Sequence, residues 1–203
     1  MELNNYFEKY KSNKLINAIK YQINVYDDID KKIVKIVNLF NKQLNLKYWK
    51  NYDIKFIASI MRLIYNSYVV INHLPHMLNK PIHNGKPSLH IIMNESVSQL
   101  VSISLSSECY NLLDISLSSN HNNNELILLL KKEFIKVLSN IPNYNIENLF
   151  DNTNVKKELE EHNKQIIQNI LDSTEKLCHS YYDIIYKNDD QSRSKKILVN
   201  ANN

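Results

Sequence analysis

Four of the seven histidines, His73, His76, His83 and His90, fall within eighteen residues. Histidine is the commonest protein ligand for metals, and two or three rings from one segment can close on a zinc ion. These four are the chain's metal candidates. Their surroundings argue against the site: there is no HExxH, Cys109 and Cys178 stand far apart, and no Asp or Glu lies between residues 73 and 94. Pro75, inside His-Leu-Pro-His, also breaks the helical register that would aim His73 and His76 together.

A second constellation is basic and aromatic. Lys31, Lys35, Lys42, Lys47 and Lys50 share the first fifty residues with Tyr6, Tyr10, Tyr21, Tyr48 and Trp49. Lysines neutralise phosphates and aromatic rings stack on bases, so this segment is the candidate nucleic-acid surface. Arginine, the usual reader of base edges, occurs only at Arg62 and Arg193.

Other chemistries lack their residues. Gly85 is the single glycine, so neither a dinucleotide fingerprint, a P-loop nor a Gly-x-Ser-x-Gly elbow can be written. Glu158, Glu160 and Glu161 alternate with Lys156, Lys157 and Lys164, a pattern of surface ion pairs along a helix. No catalytic residue and no cofactor is expected. The chain is rich in Asn, Ile, Lys and Tyr and poor in Gly, Ala, Arg and Pro, which points to an AT-rich genome and discounts lysine as a functional signal.

The elements that must position these residues follow from periodicity. Leu15, Ile16, Ile19 and Ile23 make one helical stripe, with Ser12 as its cap. Asp27-Asp28-Ile29-Asp30 supplies an acidic start to a second helix carrying Ile33, Ile36, Val37 and Phe40. A central core helix, capped by Asp53, runs to about Leu74, where Pro75 stops it. Within it Lys55, Ser59, Arg62, Asn66 and His73 form one narrow polar stripe on an apolar cylinder. Such a stripe, with Arg62 at its middle, argues for a core helix and against a membrane span.

Residues 75–87 read as a loop. Beyond it, apolar residues and serines alternate over 89–93, 101–106 and 113–118, which predicts a three-stranded antiparallel sheet at about residues 88–118. A helix over Glu125–Asn140 and a long amphipathic helix from about 154 to 187 complete the chain, followed by a flexible tail, 188–203. The expected fold is therefore α+β and predominantly α-helical. It has about five helices and one domain over 1–187, parted into 1–74, 88–140 and 154–187.

No reactive cluster stands out, and the long helix needs something to cover its apolar face. The expected function is non-catalytic: an adaptor or subunit of a larger intracellular, cytoplasmic assembly. The partner is another protein or a second copy. It would bind at Ile166, Ile170, Leu177, Tyr181 and Ile184 and at the loop residues Tyr144, Leu149 and Phe150. A nucleic-acid-binding module, and third a zinc-binding protein or enzyme using the His73–His90 cluster, are the alternatives.

Overall fold

The computed structural model describes residues 3–8, 13–46, 54–120 and 155–201, with helical positions 128, 131, 132 and 135 between them. In order these form α1 (Leu3–Glu8), α2 (Lys14–Ile23), α3 (Asp28–Leu46), α4 (Lys55–Asn72), the strands β1 (Ile82–His83) and β2 (Lys86–Pro87), α5 (Leu89–Ile92), α6 (Glu95–Asn120) and α7 (Val155–Ala201).

Local chemistry sets the starts of α2 and α3. The α2 cap is Asn13, one residue beyond the expected Ser12, and its Oδ1 accepts the Ile16 N–H at 2.8 Å. Asn13→Ala is expected to cost about 1 kcal/mol, read from the urea midpoint at unchanged slope. Asp27 opens α3, its Oδ1 accepting the N–H groups of Ile29 at 2.9 Å and Asp30 at 3.0 Å.

The core helix lies where the sequence places it. From Phe56 to Asn72, α4 is buried on nearly every side, packed against α2, α3, α6 and α7. Its expected cap, Asp53, lies outside the described residues, and Ile54 stands at the N-cap position.

The three-stranded sheet is a correction. Residues 95–120 are one helix, α6, and the only strands among the described residues are β1 and β2. Spacings of two and of four coexist in this segment, and helical packing decides between them. Val101, Leu105, Cys109, Leu112 and Leu113 fall on one helical face and are buried. Ser98, Ser102 and Ser106 lie beside them. Ser67 Oγ donates to the Ser102 carbonyl at 3.0 Å, Ser102 Oγ donates to the Ser67 carbonyl at 2.9 Å, and Ser106 Oγ stands 2.6 Å from Ser67 Oγ. Ser67, Ser102 and Ser106 are thus the small, mutually bonded seam that lets α4 and α6 close up.

The loop 75–87 instead holds the hairpin, in register Ile82↔Pro87 and His83↔Lys86. Its turn residues Asn84 and Gly85 both have positive φ, 49° and 75°, the Asn-Gly pattern that suits a twisted two-residue turn.

The long C-terminal helix continues past the expected residue 187, to Ala201. Its apolar stripe packs on α3 and α4, and Tyr181 meets Phe56 edge to face at 5.7 Å. Both cysteines are free and buried, and burial pushes the Cys178 thiol up to about 12 and raises that of Cys109. Among the described residues no helix is long and apolar enough to cross a membrane.

Candidate functional site: a cavity beside the polar stripe of α4

The polar stripe of α4 faces a cavity of about 700 Å³. Lys55, Ala58, Ser59 and Arg62 form one wall. Leu3, Ile23, Asn24 and Tyr26 come from α1 and the α2–α3 turn, and Val34 and Asn38 from α3. The volume is within the range of about 300–1,000 Å³ usual for small-molecule sites.

Arg62 joins this cavity to a buried polar network. Its Nε donates to Asp30 Oδ1 at 2.8 Å and its Nη2 to the Ile23 carbonyl at 3.2 Å. The Asp30 side chain is 0% exposed. Burial pushes its carboxyl above the usual range, and the Arg62 charge opposes that shift. Asn66 Nδ2 donates to the same Asp30 oxygen at 3.1 Å, and Gln22 Nε2 donates to Asn66 Oδ1 at 3.1 Å. Every group in this chain of bonds has a partner, as a buried network requires.

Above it, Tyr26 holds φ at 46°, a left-handed conformation costly for an aromatic residue. Its ring lies 4.6 Å from the Arg62 guanidinium carbon, a cation–π contact that helps hold the turn in place.

The hairpin clamps this turn from outside. Asn84 Nδ2 donates to the Val25 carbonyl at 3.1 Å, Lys86 Nζ to the Asn24 carbonyl at 3.2 Å, and Tyr21 OH to the Pro87 carbonyl at 2.7 Å. His83 Nε2 lies 2.7 Å from Asp27 Oδ2, which also accepts the Tyr65 hydroxyl. Burial alone would raise the Asp27 carboxyl, but the His83 and Tyr65 hydrogen bonds, the Asp30 N–H and the His83 charge together lower it to about 2.

The four histidines are not drawn into a ligand set. His73 and His83 meet edge to face at 4.8 Å, and His73 Nδ1 sits 3.2 Å from Ser88 Oγ. His83 Nδ1 and His90 Nε2 are buried without a hydrogen-bond partner. His76 is half exposed, 3.8 Å from Glu95. Among the described residues no group of three His, Cys, Asp or Glu side chains is placed to hold a metal ion.

The expected docking residues on α7 are core. Ile166, Ile170, Leu177 and Tyr181 are 0–5% exposed and pack in the same hydrophobic cluster as α4. The Ile184 side chain, the loop Tyr144, Leu149 and Phe150, and Lys47 and Lys50 lie outside the described residues. Lys31, Lys35 and Lys42 are exposed on the outer side of α3, with Lys31 Nζ 2.9 Å from Asp28.

Sequence reasoning missed Tyr26, Asp27, Asp30 and Tyr65. One signal was present: Arg62 is one of two arginines in the whole chain and sits on a buried helix. A buried arginine demands a carboxylate, and Asp27-Asp28-Ile29-Asp30 is the nearest acidic run.

No protein-family model matches the chain. No curated protein matches it in sequence. Solved structures do match it in fold. A geranyltransferase from Legionella pneumophila superposes with a TM-score of 0.67 at 14% identity, over 88% of this chain and 63% of that one. This chain therefore spans less than two thirds of the Legionella protein's length. An isoprenoid synthase family member from Thermotoga neapolitana gives 0.52 at 13% identity, covering 92% of this chain and 89% of that one. A geranyltranstransferase from Thermotoga maritima gives 0.53 at 11% identity, covering 93% and 87%.

These neighbours overturn the reading of the chain as a non-catalytic adaptor or assembly subunit. They are enzymes, and the helix meant to dock a partner is spent on this chain's own core. The fold is that of the isoprenoid synthases.

Proposed function

We propose that this chain is an enzyme of the isoprenoid-synthase kind that takes a prenyl diphosphate. The hydrocarbon would lie in the α1–α4 cavity, with the anionic head at its basic rim. One observation carries the reading: Lys55 and Arg62 stand on one wall of a cavity whose other lining includes Leu3, Ile23, Val34 and Ala58. A hollow that mixes this apolar lining with Asn24, Asn38 and Ser59 and carries two cations on one wall is complementary to an amphiphile with a negatively charged head. The Asp30 carboxylate, paired with Arg62 on that wall, has a fully buried side chain. Arg62 spends two of its five donors on Asp30 and Ile23, which leaves others for a ligand.

The chemistry fits the same geometry. Breaking a carbon–diphosphate bond develops negative charge on the leaving group, which fixed cations stabilise more in the transition state than in the ground state. The fold of the Legionella geranyltransferase, matched over 88% of this chain, supports the substrate class.

Calorimetric titration with geranyl diphosphate tests the proposal. Ala58, at the cavity wall, is the place to fill it. Ala58→Phe is expected to weaken binding by about tenfold or more while leaving the helical circular dichroism unchanged. Incubation of the wild-type protein with geranyl and isopentenyl diphosphates should give a longer prenyl product by chromatography. A folded wild-type protein that neither binds the first nor converts the pair contradicts the proposal.

A further inference from the structure

All four lysines of α3, Lys31, Lys32, Lys35 and Lys42, stand on one side of the helix, at spacings of three, four and seven. Leu39 lies among them, four residues after Lys35 and three before Lys42, and is 57% exposed. The opposite side of the helix is core, with Ile33 and Val37 fully buried. Lys31 is paired with Asp28, whereas Lys32, Lys35 and Lys42 form no ion pair among the described residues. From Lys31 to Tyr52 the sequence holds six lysines and not one Asp or Glu. On α7, by contrast, lysines alternate with acids, as at Lys157, Glu160, Glu161 and Lys164. An AT-rich coding bias accounts for many lysines, but not for their separation from acids on this one helix.

We propose that this face of α3 docks on an anionic lipid bilayer, with the lysines on the lipid headgroups and Leu39 entering the headgroup boundary. A basic helix face around an exposed apolar residue is the composition of a segment that lies in a membrane interface, where charge and apolar burial act together. Charge decides against a second copy, which would set the same lysines against each other across a twofold axis. Nucleic acid is the poorer match. None of the described exposed positions of α3 is aromatic or arginine, so the face has nothing to stack on bases or to read their edges.

The same face borders the cavity. Asn38, which lines it, follows Lys35 by three residues and precedes Lys42 by four, and Val34 lies one turn before Asn38. Docking through the lysines therefore holds this side of the cavity close to the membrane surface, where an amphiphile with a long hydrocarbon chain is concentrated. That orientation rests on the reading of the cavity as a prenyl diphosphate site. The docking itself does not, because α3 alone carries it.

Co-sedimentation of the full chain with vesicles tests this, with no prenyl diphosphate present. Vesicles of phosphatidylserine and phosphatidylcholine in equal parts should bind it about a hundredfold more tightly than phosphatidylcholine alone, and added salt should weaken that binding. Lys32→Glu with Lys35→Glu should weaken it by about tenfold or more. Lys157→Glu with Lys164→Glu, the same charge change at exposed positions of α7, should leave it nearly as it was. Leu39→Ser should weaken it by about fivefold while leaving binding to heparin unchanged. Every substituted side chain is exposed, so the circular dichroism should match the wild type throughout. A wild type that binds both kinds of vesicle equally overturns the proposal. So does an equal loss in the α7 control, which would mean that net charge alone acts. A Leu39→Ser chain that binds anionic vesicles as well as the wild type also overturns it, since the face would then be a site for polyanions at large. Titration with geranyl diphosphate reads the cavity separately, so a failure of either reading is seen apart from the other.

Discussion

Replacing Arg62 by methionine is expected to destabilise the fold by about 3–5 kcal/mol. The methionine fills much of the volume but leaves the Asp30 carboxylate, whose side chain has no exposure, without its cation. Asn66 and the Asp27 N–H can still donate to Asp30, yet two neutral amides do not offset a buried charge. The loss would reach beyond the pair. Arg62 also holds the Ile23 carbonyl at the end of α2 and the Tyr26 ring above it, so the turn lining the cavity would loosen. The paired variant, Arg62→Met with Asp30→Asn, should recover more than half of the loss, because it removes the stranded charge. Urea unfolding of the three proteins measures this. A cost below about 1 kcal/mol for the single variant would mean that the pair is open to water, and the network described here would not be the frame of the site.

Stability should also fall as the solution is acidified from pH 7 to 4, with His73 as a principal cause. Burial, reinforced by the neighbouring His83, lowers the His73 ring to about 3. The unfolded chain takes up that proton near the ordinary value of 6.5, and the folded chain does not until far lower pH. The unfolded state therefore binds more protons across this window. The stabilisation is fully present above about 6.5 and is lost progressively as pH falls toward 3. The expected loss from this one ring is about 3 kcal/mol between pH 7 and 4. Asp27, lowered to about 2, adds a further loss between its unfolded value of 3.8 and 2. Asp30, shifted upward by burial, acts in the opposite direction. Comparing wild type with His73→Phe isolates the ring, since the other groups are common to both. The variant should show a flatter stability profile over pH 7 to 4, and an equal slope in both proteins would contradict the assignment.

Much of the frame was legible in the sequence because it is written in short-range rules. The acidic run at 27–30 does start a helix, Pro75 does follow the end of α4, and the segment read as a loop at 75–87 does carry the Asn84-Gly85 turn. The polar stripe Lys55, Ser59, Arg62, Asn66 was readable from spacing alone, and three of those four side chains line the cavity while Asn66 joins Asp30. What the stripe faces was not readable. That depends on the α2–α3 turn returning to α4 across more than thirty residues, which no local pattern encodes. The α6 error has a different origin. Serine and apolar residues at 96–107 satisfy a period of two and a period of four together, and only the fit of Ser102 and Ser106 against Ser67 decides for the helix. The functional error followed from these. An amphipathic helix such as α7 looks unpartnered while α3 and α4 are taken as separate elements, and becomes core once they pack on it.

The central claim is that the α1–α4 cavity holds a prenyl chain with its charged head at Lys55 and Arg62. The direct measurement is a crystal structure of the protein with a non-hydrolysable analogue of geranyl diphosphate. The account predicts the hydrocarbon between Ile23, Val34 and Ala58, with the diphosphate oxygens within hydrogen-bond reach of the Lys55 ammonium and the Arg62 guanidinium. An analogue bound elsewhere, with this cavity unchanged, would contradict it.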